Sequence, residues 1–266
     1  MNNIIERLAR AGWSFMQPLA HYPSQDGAPV SDLFVWRTGE DWETYFELTD
    51  MVAMYDEVTR NGQSRSVEVV LFDSKGQEVQ RQRVASPRHR RNVLNISALV
   101  PDEAGELGTF CVLHETTPES MAALGSSLSE RGYISFRYKQ APLRGYVHGN
   151  LNAASRLPDG HVERLAGSGF LEREFRLQHE LRPGFEYEIG VVNPSRKAQS
   201  IQCDVLSVTD GRLVESLTVK LPSGGVHAFP VKPEATSLRI VLRSRLVMAR
   251  PLMFSFKDQK LAVLHG

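Results

Sequence analysis

A chain of 266 residues, 41% apolar and 23% charged, is long enough for a sizeable core and too apolar to stay disordered. Lysine plus arginine equals aspartate plus glutamate at 31 each, so bulk charge gives no long-range attraction for nucleic acid. No apolar run approaches the roughly 20 residues of a membrane helix, and two cysteines make no disulfide framework.

Within Met1 to Trp13, Ile4, Ile5 and Leu8 share one helical face, with Glu6, Arg7 and Arg10 elsewhere. This predicts a short helix in an N-terminal segment, 1–29. It lacks the unbroken apolar stretch of a signal peptide, which points to a cytoplasmic location. Trp36 follows, the less constrained of two early tryptophans. In Trp42 to Leu48 the apolar Trp42, Phe46 and Leu48 alternate with Glu43, Tyr45 and Glu47, the pattern of a half-buried strand. Val67, Val69 and Leu71 form a second inward row. Asp73 to Gly76 reads as a hairpin turn. Gln77 to Val84 carries polar residues on both faces, which suits a sheet edge.

Pro87-Arg88-His89-Arg90-Arg91 is the sharpest local concentration of charge. It is the candidate loop for an acidic partner, with Trp36 as a candidate aromatic platform. Thr117-Pro118-Glu119 opens a helix expected to run to about Arg131, with Met121, Leu124 and Leu128 at helical spacing. The first half ends at Val147-His148-Gly149. Residues 151–170, rich in Gly, Pro, Ser and Asp, read as a linker.

The second half matches the first. Phe185, Ile189 and Val191 repeat Trp42, Phe46 and Leu48. Ile201, Cys203 and Val205 repeat the row of Val67. Gly211, Val219, Pro222, Phe229 and Val231 follow Gly76, Val84, Pro87, Leu94 and Ile96 at one constant offset. Phe254 to Lys257 is matched to Ile134 to Arg137, and Leu264-His265-Gly266 to the earlier His-Gly pair. An internal duplication of short strands predicts an all-β chain. Its form would be two tandem antiparallel β-sandwiches, 30–150 and 171–266, with one short helix inserted in the first. The outline resembles immunoglobulin-like or fibronectin-type modules. That resemblance covers architecture alone, because the paired cysteines and core tryptophan of antibody domains are absent and no functional residue carries over.

No phosphate loop, nucleophile elbow, HxH or HExxH motif or nucleotide fingerprint is present. The sequence calls for no cofactor and no metal. The leading expectation is a non-catalytic binding or assembly protein that presents loops and sheet faces to a protein or acidic glycan. Nucleic acid is not expected as a partner, and the oligomeric state stays open, a homodimer among the options. The rival expectation is an enzyme acting on a carbohydrate or small metabolite, with His148, His114 and Glu115 near the groove between the halves. A histidine before glycine at a strand end is also what a backbone-bonded structural residue looks like. On that reading His148 and His265 sit at equivalent, largely buried positions.

Overall fold

The computed structural model describes residues 23–25, 27–49, 65–86, 91–115, 128–130, 132–149, 151–246 and 250–266. Apolar residues at every second position bury one face of a strand, and the described chain follows that rule into five four-stranded sheets. The first sheet holds, in order, β2 (Phe34–Arg37), β7 (Leu107–His114), β4 (Arg65–Asp73) and β5 (Glu78–Ser86). The second holds β10 (Gly145–His148), β9 (Tyr133–Tyr138), β3 (Trp42–Thr49) and β6 (Arg91–Asn95). The third runs β13 (Ser168–Arg176), β18 (Leu238–Leu246), β15 (Gln199–Ser207) and β16 (Leu213–Leu221). The fourth runs β20 (Lys260–His265), β19 (Leu252–Lys257), β14 (Glu186–Val192) and β17 (Val226–Val231). The fifth joins β12 (Val162–Arg164), β11 (Ala154–Arg156), β1 (Val30–Ser31) and β8 (Ser129–Glu130).

The protein is 61% strand, and its sheets are arranged as the five small blades of a β-propeller. This overturns the expectation of two tandem immunoglobulin-like sandwiches. The physical reason lies in the fourth sheet, which buries both faces. Tyr187, Ile189, Val191 and Met253 pack with the third sheet in one core. Leu252, Phe254 and Val263 join Trp42, Phe46 and Phe136 of the second sheet in the other. Phe254 meets Trp42 at 5.5 Å and Phe136 at 5.1 Å, both edge-on. The Arg37 guanidinium lies 3.9 Å over Trp42 and pairs with Glu188, so an ion pair also crosses between the halves.

The stretch 151–170, expected as a linker, supplies β11 and β12 to the fifth sheet. Of the helix expected from Pro118, residues 116–127 and 131 lie outside the described residues; its end is instead buried Leu128 followed by β8. The expected N-terminal helix also falls outside them. Among the described residues there is no α-helix, and none is long and apolar enough to cross a membrane.

What corresponds between the halves is strand order within sheets. In the second sheet Phe46 faces Leu94 and Ile134; in the fourth, Ile189 faces Phe229 and Met253. The expected match of Ile134 with Phe254 is therefore one residue out. A one-residue slip moves a side chain to the other face of a sheet, which is why Phe254 serves the other core. Two turns from opposite halves also interlock. A Cβ at Gly76 (φ +77°) would lie 2.0 Å from the Ser223 carbonyl oxygen, so only glycine fits there. Cys111 and Cys203 are buried, and burial pushes both thiols up to about 12.

The hairpins β9–β10 and β19–β20 each turn through two non-glycine residues with positive φ, Lys139 (48°) and Gln140 (54°), then Asp258 (48°) and Gln259 (65°). A left-handed conformation costs an L-residue roughly 1–2 kcal/mol. Gln259→Gly, which gives the Asp-Gly pair such turns favour, is expected to stabilise the fold by about 1 kcal/mol. Chemical denaturation checks this, and a variant no more stable than the parent would show that the turn is unstrained.

Candidate partner-binding face

In the second sheet, alternation sends Trp42, Thr44, Phe46 and Leu48 inward and leaves Glu43 and Tyr45 on the opposite face. The register then assembles two rows on that outer face. One row is His148, Tyr133, Glu47 and Val93; the next is Tyr146, Ser135, Tyr45 and Asn95. Tyr133 is 55% exposed, Tyr146 47% and Val93 46%. Leu143, in the β9–β10 connection, is 83% exposed. Strand spacing places Tyr45 and Tyr146 about 10 Å apart across Ser135. Ser135 itself is buried beneath this row, and its hydroxyl has no hydrogen-bond partner.

The polar groups beside the tyrosines are held in place. Glu43 accepts hydrogen bonds from Arg137 and from the Tyr45 hydroxyl. The Arg137 bond chiefly holds the Glu43 carboxyl below its ordinary range, against desolvation. The bond to Glu43 raises the Tyr45 phenol above its usual value, so it stays a donor. Arg144 stacks over the Tyr45 ring at 3.6 Å. The face therefore offers rigid aromatic rings and fixed donors on a sheet, where side chains lose little freedom on binding.

At one end of this face His148 meets Tyr133, with ring centroids 6.3 Å apart, and then His265 at 5.0 Å. The two histidines line a cleft between the second and fourth sheets with Asp32, Phe34, Val147 and Arg250. His148 and His265 hold equivalent register positions, opposite Tyr133 and Leu252. Both bond to backbone, as the structural reading required: His148 Nδ1 to the Gly149 carbonyl at 2.8 Å, His265 Nε2 to the His148 carbonyl at 2.9 Å. The burial expected of both fails, because His148 is exposed and His265 only partly covered.

The enzyme constellation does not assemble. His114 is buried in β7 and bonds Glu130 Oε2 at 2.9 Å, not Glu115. Glu115 instead accepts the Ser66 hydroxyl at 2.5 Å. Neither lines the cleft that holds His148. Glu130 escaped sequence reading because it was placed at the end of a helix rather than in a strand beside β7. Among the described residues no group of three or more His, Cys, Asp or Glu could hold a metal ion.

Trp36, the expected aromatic platform, is fully buried, and its indole Nε1 donates to the Phe72 and Thr109 carbonyls, both at 3.1 Å. Its row in β2 faces the packed core, so it cannot meet a partner. Arg88, His89 and Arg90 lie outside the described residues; the backbone of Arg91 opens β6 in register with Thr49. The exposed tyrosines were missed, since alternation marks which residues face out but not which sheet gathers them. No protein-family model matches this chain, and no curated protein matches it as a relative, so its function rests on the geometry of the molecule itself.

Proposed function

We propose that the chain is a non-catalytic binding protein that docks a protein partner on the outer face of the second sheet. The observation that carries this is the grouping of Tyr133, Tyr146 and Val93 on one side of one sheet, each strongly exposed, with the exposed Leu143 in the connection between two of its strands. Tyrosine and arginine are the residues protein interfaces favour, and large exposed apolar side chains gathered on one sheet suit an interaction site. The aliphatic Val93 and Leu143 favour a protein over a glycan, which would gain little from them. The stacked Arg144 and the Glu43–Arg137 pair supply an orienting polar rim.

A photo-crosslinking residue in place of Tyr146 is expected to capture a discrete partner from extract, while the same residue at exposed Lys220 on the third sheet does not. The double substitution Tyr133→Asp and Tyr146→Asp is expected to lower affinity at least thirtyfold, about 2 kcal/mol, as for aromatic hot spots. Equal capture from both positions, or unchanged affinity in the double variant, would overturn the proposal. Binding confined to oligosaccharides on a glycan array would replace it with a glycan-binding reading.

A further inference from the structure

We propose that His148 and His265 form a two-histidine site for an imidazole-preferring divalent transition metal, Cu2+ first, with water completing the coordination. Tautomer logic leads there. A carbonyl oxygen only accepts, so His148 must carry its proton on Nδ1 to bond Gly149, and His265 must carry its proton on Nε2 to bond the His148 carbonyl. In its neutral form each ring then has one bare lone pair, Nε2 of His148 and Nδ1 of His265. Locking one ring nitrogen onto a backbone carbonyl, which frees the other for metal, is how metal-binding histidines are oriented. The rings stand 5.0 Å apart at 63°.

A second observation is independent of that orientation. Nδ1 of His265 is shielded from water and has no hydrogen-bond partner. A buried acceptor left unpaired is uncommon, and a bound ion is one of the few things that satisfies it.

The rest of the cleft narrows the choice of ion. Asp32 lines it, but its Oδ1 accepts the Leu33 amide at 2.7 Å and its Oδ2 the Leu151 amide at 3.2 Å. Arg250 brings a positive charge that opposes hard cations held by charge alone. What remains favours an ion that bonds imidazole strongly, and Cu2+ stands highest among the first-row divalent ions.

The test is titration of the untagged full chain with CuCl2, followed by calorimetry and electron paramagnetic resonance. One Cu2+ per chain with two nitrogen ligands is expected. His148→Ala and His265→Gln should each weaken binding at least tenfold, while His179→Ala leaves it unchanged. Glutamine can keep a donor to the His148 carbonyl, and circular dichroism and melting confirm that each variant is folded. No stoichiometric binding, a single-nitrogen spectrum, or affinity indifferent to either variant would overturn the site.

Discussion

Phe254→Ala is expected to cost about 3–5 kcal/mol, the loss typical of a buried phenylalanine truncated to alanine. Phe254 is 1% exposed and is packed by Trp42, Phe136 and the Arg37 guanidinium, all from the first half. None of these can follow the ring inward, since each is fixed by its own strand, so a cavity remains. Urea denaturation should show one transition shifted to lower denaturant with an unchanged slope. Two separate transitions, or a loss below 1 kcal/mol, would mean that the halves are stabilised apart from one another.

Glu130→Ala should be comparably damaging, at about 3–5 kcal/mol. Glu130 is 1% exposed; one carboxylate oxygen bonds His114 at 2.9 Å and the other accepts the Gly132 amide at 2.7 Å. Removing it strands a buried imidazole and an amide together. Glu130→Gln, which retains hydrogen-bonding capacity, should recover a large part of the loss. If the alanine variant melts within 2 °C of the parent, about the shift that 1 kcal/mol causes in a chain of this size, the pair does not hold the first and fifth sheets together.

Much of the strand content was legible because period-two alternation is a local signal. Trp42, Phe46 and Leu48 point inward as read, and β5, polar on both faces, lies at a sheet edge. What alternation cannot carry is the second partner of a strand. Leu252, Met253 and Phe254 are three consecutive buried residues; such a run marks a strand covered on both sides, which a two-layer sandwich does not provide. The linker reading failed for a related reason, because Gly, Pro and Ser also occur around very short strands such as β11. The candidate face was half legible. Tyr45 was seen to face away from Trp42, but Tyr133 and Tyr146 join it only through cross-strand register, which no local window contains. The burial of Trp36 is not legible in the same way, because Phe34, Val35 and Trp36 are all buried and no polar residue alternates with them to fix a face.

The fourth sheet also has a consequence for how the protein is made. Synthesis proceeds from the N-terminus, and the strands that roof the first core, β19 and β20, emerge after every strand they cover. Until they arrive, the sides of Trp42 and Phe136 that meet Phe254 stand open, and the tyrosine-bearing sheet exposes apolar residues on both sides. Contacts so distant in sequence also fold slowly. The nascent chain therefore carries an open apolar surface from the emergence of β9 until β19 and β20 follow, a period in which a chaperone has more to grip than it will find on the folded molecule.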